Sequence, residues 1–417
     1  METAARTIKL YDDRPYDLSF TGEIIYAGPM KEGTRELVLD RTLFFPEEGG
    51  QSPDQGMLAD CRVTDVQIRD GVIIHTVRGS RERLEVLEPG CPVRGELDWD
   101  FRFSNMQNHT GEHILSGLLH STYGFDNIGF RLSPNTVTLD FNGHLDRDAL
   151  LEIERRANEA VYANLEVIAR YPDRDRLSAM EYRSKKQIDE AVRVVTIPGV
   201  DACACCAPHV RRTGEIGVIR ILKSLRYKGG TRLTILSGRR ALALMQQQLI
   251  VLEDVSHLTS RKQEELAEGV RSLLEENAAQ RFRIGELERQ ITDLRLSAIP
   301  AERKNVFLAE ADMSPLAQRG YVNGLCERHE GCCGVFVGND SEGYKFIIGA
   351  RQSDAKHQNA LHSDARQAAA LLRETLGARG GGKPAMVQGS VKATWQEIQK
   401  ALEGLSEISV TGSGFSG

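Results

Sequence analysis

Residues 105–123 read NMQNHTGEHILSGLLHSTY, a stretch in which apolar side chains recur at helical spacing. The pattern predicts one helix, with an apolar face formed by Ile114, Leu115, Leu118 and Leu119. On such a helix His109 and His113 lie one turn apart on the same face, where both imidazoles can bind one metal ion. A single pair of this kind is also explained by buried or surface histidines, so the hypothesis needs further ligands.

A second pair of ligating side chains lies in the segment Cys205-Cys206-Ala207-Pro208-His209. Cys205 and His209 are again four residues apart, but Pro208 disfavours a helix, so we expect a turn here. Three imidazoles and one thiolate form a borderline-soft set that suits Zn²⁺. We therefore predict one Zn²⁺ per chain, bound by His109, His113, Cys205 and His209.

Two features of these motifs allow other interpretations. Cys203 and Cys206 are rival thiol ligands, unless they pack as small apolar side chains. Glu112 turns the first pair into His-x-x-Glu-His, the inverted motif of zinc peptidases, in which the glutamate is the general base. That motif requires a downstream carboxylate as its third ligand, and a cysteine and a histidine fit this requirement poorly. A zinc peptidase is therefore the weaker alternative.

The composition is that of a protein with a buried core and more than one domain. The chain has 417 residues, which suggests two or three domains, and 41% of them are hydrophobic. Its 53 Lys and Arg against 59 Asp and Glu give a net charge of −6, which excludes a basic coat over the whole surface but not a local basic patch. Eight cysteines are too few for a disulfide scaffold, and the sequence has neither a secretory signal nor a spanning apolar stretch. We expect a cytoplasmic protein with no membrane partner.

The window from 220 to 240 holds seven basic residues and no acidic residue. This charge predicts a face that binds the phosphates of RNA, with Tyr227 available to stack on a base. A solvated strand edge protected by basic side chains would have the same composition. The predicted phosphate contacts are Arg220, Lys223, Arg226, Lys228 and Arg232.

Periodicity along the chain predicts an α+β multidomain protein with four parts. Residues 1–95 have the pattern of a small β-barrel or sandwich, of which we predict the barrel, and Asp70-Gly71 joins two alternating strands as a hairpin. Residues 96–238 form the α+β domain that contains the zinc ligands. Residues 239–299 form a helical coiled-coil linker, and residues 300–417 form a C-terminal α/β domain.

The linker is predicted from a heptad seam of apolar side chains that runs from Leu242 to Leu294. Polar residues such as Asn277 and Gln280 interrupt the seam, which favours an intermittent coiled coil or a helical hairpin over a continuous rod. Its apolar face needs a partner, either a second helix of the same segment or the same seam of another chain.

Several motifs together resemble the editing domain of alanyl-tRNA synthetase and its free-standing relatives, the AlaX-type trans-editing proteins. They are, in chain order, Leu39-Asp40-Arg41-Thr42, residues 44–51, Asp98-Trp99, residues 109–113, residues 205–210 and Thr213-Gly214-Glu215-Ile216-Gly217. The seam and the loop at 380–384 resemble the C-terminal C-Ala (DHH-associated) domain. The resemblance is thus to the long form of AlaX and covers nearly the whole chain. Because the aminoacylation domain is missing, it implies deacylation without aminoacylation.

The substrate that this resemblance implies is tRNA(Ala) mischarged with serine or glycine, whose aminoacyl ester is hydrolysed with the help of zinc. Substrate contacts are implied for Thr42 and for the loop Gly49-Gly50-Gln51. The two glycines allow close backbone approach and Gln51 offers an amide to hold substrate or water, although a plain β-turn would have the same sequence. Glu112 is a candidate substrate residue, but the family pattern does not require an acid there, and we do not assign it as the catalytic base.

The resemblance and the seam also imply a homodimer through residues 240–417. A second tRNA contact is implied at Lys383, at the end of a glycine run that is too short for a P-loop and is predicted to be a tight turn. An alternative function is that of a tRNA-binding, dimerising adaptor with a vestigial editing site. The intact ligand spacing argues against the adaptor, and metal content would distinguish the two.

Two departures from the family pattern affect the predicted substrate pocket. Glu48 stands where serine or glycine often precedes the Gly-Gly-Gln sequence. Cys206-Ala207-Pro208 stands where the family often has Gly-Gly-Thr between the ligands. Both changes leave the ligand spacing intact and bear on which amino acid is accepted.

Overall fold

The computed structural model describes residues 6–184, 191–351, 364–403, 405 and 408–410. The chain divides into two compact units, Met1–Asp254 and Val255–Gly417. It is a mixed α+β multidomain protein, as the sequence predicts, and the predicted small barrel is a closed barrel of six strands. The finer division into four parts remains a prediction.

The first unit combines the barrel with three smaller sheets and several helices. Its strands are β1 (Ile8–Lys9), β2 (Ser19–Ala27), β3 (Thr34–Leu39), β4 (Arg41–Thr42), β5 (Gly56–Leu58), β6 (Cys61–Arg69), β7 (Val72–Arg78), β8 (Pro92–Leu97), β9 (Asn127–Leu132), β10 (Val137–Phe141), β11 (Ile168–Arg170), β12 (Val194–Ile197), β13 (Asp201–Ala204), β14 (Ile219–Tyr227) and β15 (Gly230–Ser237). Its helices are α1 (Leu10–Asp13), α2 (Arg81–Glu85), α3 (Trp99–Tyr123), α4 (Arg147–Tyr162) and α5 (Arg174–Ala179). Helix α6 (Gly238–Thr259) begins in the first unit and ends in the second.

The barrel closes in the order β2-β3-β7-β6-β5-β8, because β8 pairs with both β2 and β5. Asp70 and Gly71 join β6 to β7 as predicted, with left-handed φ angles of 51° and 78°. Two successive residues with positive φ are typical of a type I′ turn, whose twist matches that of the paired strands. Apolar side chains from the strands fill the interior, among them Ile24, Leu37 and Val63.

His75, on strand β7, is fully buried in this barrel. Its Nε2 lies 2.9 Å from Oγ1 of Thr42, and its Nδ1 lies 3.3 Å from the carbonyl oxygen of Leu37. Thr42, a predicted substrate contact, also accepts a hydrogen bond from the backbone N–H of Phe44 at 3.1 Å. Burial lowers the pKa of His75 to about 4, so the ring is neutral in the folded chain at pH 7.

We expect His75 to weaken the fold in acid. The unfolded chain protonates the ring near its ordinary pKa of 6.5, whereas the folded chain does so only near 4. The stability from the neutral ring is therefore complete above pH 6.5 and is lost as the pH falls towards 4. About 3 kcal/mol of the free energy of unfolding should disappear over this interval. Urea denaturation of the metal-free chain at several pH values measures this loss. His75→Gln should lose clearly less, and equal losses in the two proteins would contradict the prediction.

Helix α3 begins at Trp99, earlier than predicted, because the Asp98 side chain caps it by accepting a hydrogen bond from the backbone N–H of Phe101 at 3.0 Å. The sheet with the order β14-β15-β10-β9, helix α4 and strand β13 pack around it, so that residues 104–119 are all buried. Gly117 permits the approach to the β13 segment, since a Cβ there would lie 2.4 Å from the carbonyl oxygen of Val200. The helix that carries the predicted ligands is thus held on several sides.

The second unit is built on a single six-stranded sheet with the order β19-β20-β18-β17-β16-β21. Two hydrophobic clusters contain residues of this sheet, one of them shared with α9 and α10 and the other with α8 and the end of α7. The strands are β16 (Asn305–Glu310), β17 (Cys332–Asn339), β18 (Gly343–Ala350), β19 (Arg379–Lys383), β20 (Met386–Val391) and β21 (Ile408–Val410). The helices are α7 (Leu266–Ser297), α8 (Pro315–Arg328), α9 (Ala365–Leu376) and α10 (Trp395–Leu402).

The glycine run before Lys383 is a strand, so the prediction of a tight turn there is wrong. Residues 379–383 pair antiparallel with β20 as the edge strand of the sheet. At Gly382 a Cβ would lie 2.3 Å from the carbonyl oxygen of Met386, so the absence of side chains permits this close pairing. The side chain of Lys383 is exposed at the end of this edge strand.

The predicted linker is helical, but most of its apolar seam is exposed. In α7, Leu266 and Leu296 are buried, whereas six further apolar side chains of the seam are 42–70% exposed: Val270, Leu273, Ile284, Leu287, Ile291 and Leu294. In α6, Leu242, Met245, Leu249 and Leu252 are 40–52% exposed. The coiled coil itself remains a prediction.

No helix in the described part of the chain is both long enough and apolar enough to cross a membrane.

Candidate metal centre

The predicted ligands converge in the first unit. His109 and His113 project from α3, and Cys205 and His209 follow strand β13. The ligand atoms of all four side chains lie within 4.8 Å of one another. The Cys205 Sγ lies 3.5 Å from Nε2 of His109 and 3.3 Å from Nε2 of His209. Nitrogen and sulfur ligands around a tetrahedral metal ion are about 3.5 Å apart, so these residues fit a single ion.

Each imidazole is oriented by a hydrogen bond at its other nitrogen. Nδ1 of His109 lies 2.7 Å from Oε1 of Gln51, and Nδ1 of His113 lies 2.9 Å from Oδ2 of Asp201. Both partners are acceptors, so each Nδ1 carries the proton and each Nε2 keeps its lone pair for a metal.

Thr110 performs the same function for His209. Its hydroxyl donates to the carbonyl oxygen of Met106 at 2.8 Å, so its Oγ1 accepts from Nδ1 of His209 at 3.0 Å. All three rings therefore direct Nε2 lone pairs towards the centre. Thr110 and Asp201 were not found from the sequence, although Thr110 is next to a ligand and Asp201 lies four residues before Cys205.

Asp201 is itself held by Arg183. The guanidinium Nε donates to Oδ1 at 2.8 Å, and an Nη donates to Oδ2 at 3.0 Å. Burial alone would raise the pKa of Asp201, but hydrogen bonds from His113 and Arg183 outweigh it and lower the pKa below its ordinary value. The carboxylate is thus ionised and fixed, which keeps the His113 ring in one orientation.

Without a metal ion, the surroundings of Cys205 and His209 favour their neutral forms. Burial raises the pKa of the Cys205 thiol well above its ordinary value. Burial also lowers the pKa of His209 well below its ordinary value, and the neighbouring His113 and His109 lower it further. A bound divalent cation would displace the thiol proton, so metal affinity should couple to proton release.

The loop Gly49-Gly50-Gln51 brings the Gln51 amide to this centre. It forms a turn in which Gly49 and Gly50 have φ angles of 61° and 84°, closed by the Gln51 N–H and the Glu48 carbonyl at 3.1 Å. A Cβ at Gly50 would lie 2.4 Å from the carbonyl oxygen of Phe130, so only glycine fits against β9. The Gln51 Nε2 is buried and has no hydrogen-bond partner among the described residues. The N–H groups of this amide can therefore donate a hydrogen bond to a bound molecule.

A buried ion pair fixes this loop to α3. The Arg102 guanidinium binds the Asp54 carboxylate, and both side chains are 0% exposed. Arg102 also donates to the carbonyl oxygens of Leu43 at 2.5 Å and Pro15 at 3.0 Å, while Asp54 accepts from the backbone N–H of Phe45 at 2.7 Å. The loop is therefore held on both sides of Gln51.

Glu112 lies beside the ligands but outside the group of four. Its Oε1 accepts hydrogen bonds from Oγ of Ser116 at 2.7 Å and Nδ2 of Asn127 at 2.5 Å. Its Oε2 lies 3.8 Å from Nε2 of His113. Asp201, the other carboxylate near His113, binds Nδ1 of that ring and not the centre. Within the described residues, the group of four therefore includes no carboxylate ligand, which a zinc peptidase requires.

The rival thiols occupy different surroundings. Cys203 forms a second group with His113 and Asp201, whose ligand atoms lie within 4.8 Å of one another. Burial, followed by the charge and hydrogen bond of Glu48, raises the pKa of Cys206 to about 12. The two departures from the family pattern, at Glu48 and at Cys206, are therefore in contact.

The basic window is less free than the sequence suggests, because acidic residues from other elements reach it. Arg220 pairs with Glu154 at 2.9 Å, Arg232 with Asp140 at 2.5 Å and Arg239 with Asp100 at 2.6 Å. The absence of acidic residues within the window therefore does not leave these three cations without ion-pair partners.

The remaining cations of this face lie on or beside the edge strand β14. Lys223, Arg226 and Lys228 are exposed and form no ion pair with any described residue. The Arg232 guanidinium lies over the Tyr227 ring, 3.7 Å from its centroid. It therefore contacts one face of the ring that we predicted to be available for stacking.

Two family models match the first unit. That of the threonyl and alanyl tRNA synthetase second additional domain matches residues 192–234, which include Cys205 and His209. That of class II (A) tRNA synthetases matches residues 21–101.

Curated relatives extend the similarity over both units. The alanine–tRNA ligase of Methanothermobacter thermautotrophicus is 32% identical over 410 residues, which are 94% of this chain but 44% of the ligase. The chain thus spans less than half the length of that ligase. The alanyl-tRNA editing protein AlaX-L of Pyrococcus horikoshii is 27% identical over 410 residues, which are 95% of this chain and 98% of that protein.

Among solved structures, the C-Ala domain of Aquifex aeolicus alanyl-tRNA synthetase is similar to part of the chain. It has 18% sequence identity and a TM-score of 0.21, and the match covers 25% of this chain and 91% of that domain.

Proposed function

We propose that this chain, which is similar over 95% of its length to the alanyl-tRNA editing protein AlaX-L, hydrolyses the aminoacyl ester of mischarged tRNA(Ala). The substrates are Ser-tRNA(Ala) and Gly-tRNA(Ala), and the bound metal is one Zn²⁺ per chain. The observation that carries the proposal is the convergence of His109, His113, Cys205 and His209 within 4.8 Å. A vestigial site in an adaptor protein would have no reason to retain it together with three oriented imidazoles.

The chemistry follows from the residues around the four ligands. When bound, Zn²⁺ supplies a Lewis acid that polarises the ester carbonyl, acidifies water or orients the aminoacyl group. Gln51 contributes an unpartnered amide N–H, which donates to the ester carbonyl or holds the attacking water. Because His109 and the Gly49-Gly50 turn fix Gln51, this donor is in place before the substrate binds.

The preference for serine over alanine is a problem of hydroxyl recognition. A site built to hydrogen-bond the serine hydroxyl leaves a buried polar group unpaired when alanine binds, which penalises alanine strongly. We propose that three polar residues from the N-terminal part of the chain make this selection: Thr42, Glu48 and Gln51. Glu48 and Cys206 stand at the two places where this chain departs from the family pattern. Their contact therefore affects which amino acid the site accepts.

A deacylation assay tests the proposal. Single-turnover hydrolysis of Ser-, Gly- and Ala-charged tRNA(Ala) should be fast for one or both mischarged forms and slow for the cognate form. Removal of zinc by a chelator should abolish hydrolysis, and added zinc should restore it. A zinc-loaded chain that hydrolyses none of the three esters would refute the proposal.

We propose that tRNA docks on the exposed cations of β14. Lys223→Glu with Arg226→Glu should weaken tRNA binding and reduce the slope of log Kd against log salt by about 2, one for each lost phosphate contact. Arg232 is unsuitable for this test because its loss would also break the pair with Asp140. Lys31→Glu with Arg78→Glu, on exposed positions of the barrel, is the matched control for the change in net charge. If the salt slope of the β14 variant equals that of the wild type, these cations do not bind tRNA and only face solvent.

The exposed seam supports a homodimer through residues 240–417, with Lys383 as a second tRNA contact. The apolar side chains of α7 need a partner, and a second copy offers an identical seam. A chain truncated after Gly238 should be a monomer that keeps its zinc but binds tRNA less tightly. Sedimentation velocity at micromolar concentration measures whether each chain is a monomer or a dimer. A monomeric full-length chain whose tRNA affinity equals that of the truncated form would contradict the prediction.

A further inference from the structure

Glu112 is a buried carboxylate that the proposed reaction has not yet used. It is 4% exposed and follows His109 by three residues and precedes His113 by one on α3. The hydroxyl of Ser116 and the amide of Asn127 both donate to its Oε1, which is how an ionised carboxylate is held. The side chain therefore has one orientation, which it keeps without help from a substrate.

Its second oxygen lies near the nitrogen of His113 that faces the other ligands. Nδ1 of His113 is occupied by Asp201, so Nε2 is the nitrogen that faces the centre. Glu112 Oε2 lies 3.8 Å from that Nε2. The carboxylate thus brings a negative charge beside the ligands without belonging to the group of four.

The substrate carries a group that this charge can recognise. An aminoacyl ester has a free α-ammonium, whose nitrogen is only about 2.5 Å from the ester carbonyl carbon. A divalent ion with one thiolate ligand keeps a net charge of +1, which repels a second cation placed nearby. The guanidinium of Arg183, which also interacts with the charge of Glu112, is paired with Asp201, and this pairing reduces the repulsion that it exerts on the ammonium. A carboxylate at the position of Glu112 offsets the repulsion.

We propose that Glu112 binds the free α-ammonium group of the aminoacyl ester and so selects for an unblocked amino group. This deepens the proposed function and depends on it. The consequence is a substrate class: aminoacyl-tRNA with a free amine is bound, whereas N-acylated aminoacyl-tRNA and peptidyl-tRNA are rejected. The peptidase-like alternative, in which Glu112 is a general base, predicts no such selection.

Binding of two uncleavable analogues tests this directly. In both, 3′-amino-3′-deoxyadenosine carries the acyl group through an amide. One carries serine, and the other carries 3-hydroxypropionic acid, which lacks only the α-ammonium. The zinc-loaded full chain should bind the seryl analogue roughly 10- to 100-fold more tightly, as expected for a hydrogen bond to a charged group. Isothermal titration calorimetry measures both dissociation constants without any turnover.

Glu112→Gln should reduce this preference to less than threefold while retaining zinc. Ser116→Ala, which removes one donor to Oε1, should reduce the preference by a smaller factor, and it serves as the second variant if Glu112→Gln does not fold. Asp126→Asn is the matched control, because this exposed carboxylate pairs with His120 at 2.9 Å and should leave the preference unchanged.

Three results would overturn the proposal: equal binding of both analogues by the wild-type chain, a preference that survives in Glu112→Gln, or loss of zinc in that variant. If Glu112 is instead a general base, Glu112→Gln should hydrolyse the aminoacyl ester slowly but keep the wild-type preference for the seryl analogue. These results differ from a failure of the proposed function, in which the wild-type chain would bind neither analogue and hydrolyse no ester.

Discussion

Replacing Arg102 with methionine should lower the free energy of unfolding by about 3–5 kcal/mol, because it leaves the Asp54 carboxylate buried without its cation. Both side chains are 0% exposed, so water cannot compensate. The variant also loses the hydrogen bonds to the carbonyl oxygens of Leu43 and Pro15.

Urea denaturation with and without zinc measures this loss. The matched control is the double variant Arg102→Met with Asp54→Asn, in which the uncompensated charge is absent while the amide still accepts from Phe45. It should recover a substantial part of the lost stability, since removing both charges costs less than removing one. A single variant within 1 kcal/mol of the wild type, or a double variant no more stable than the single one, would show that the pair does not hold the loop.

The parts of the fold that the sequence predicts are those specified by local patterns. Asp70-Gly71 specifies its hairpin because the turn needs two residues that tolerate positive φ. The spacing of His109 and His113 places both on one face of a helix whose apolar stripe is continuous. Cys205 and His209 are predicted by their residue types and their interval. In each of these instances the information lies within a few neighbouring residues.

The parts that the sequence does not predict depend on residues far apart in the chain. Asp54 and Arg102 are 48 residues apart, and nothing local indicates that they meet. The one signal is that Arg102 precedes His109 by seven residues and so shares its face of α3. Asp140 and Glu154 neutralise the basic window from other elements, which no count within the window could reveal.

The glycine strand was missed for a different reason. Gly380, Gly381 and Gly382 have low intrinsic preference for any strand, so local propensity favours a turn. Close backbone pairing with β20 overrides that preference, because a side chain at Gly382 would collide with the neighbouring strand. Tertiary contact, not propensity, decides the structure there.

Replacing Cys205 with alanine should remove most of the bound zinc and reduce deacylation by at least about 100-fold. Changes to outer partners of metal ligands cost about 10- to 100-fold in affinity or activity, so loss of a direct thiolate ligand should cost more. The remaining ligands would be the three imidazoles, a neutral set that has lost the only negative charge of the group. Elemental analysis of the purified variant measures zinc per chain, and single-turnover hydrolysis of Ser-tRNA(Ala) measures the reaction.

Cys203→Ala is the control that separates the two thiols. Cys203 shares a group with His113 and Asp201, but Nδ1 of His113, which binds Asp201, already carries a proton. A metal ion in that second group would have to displace this proton and would leave Nε2 facing an empty centre. We therefore expect Cys203→Ala to keep full zinc and nearly full activity. Full zinc in Cys205→Ala together with zinc loss in Cys203→Ala would move the ion to the other side of the His113 ring, and the assignment of the four ligands would be wrong.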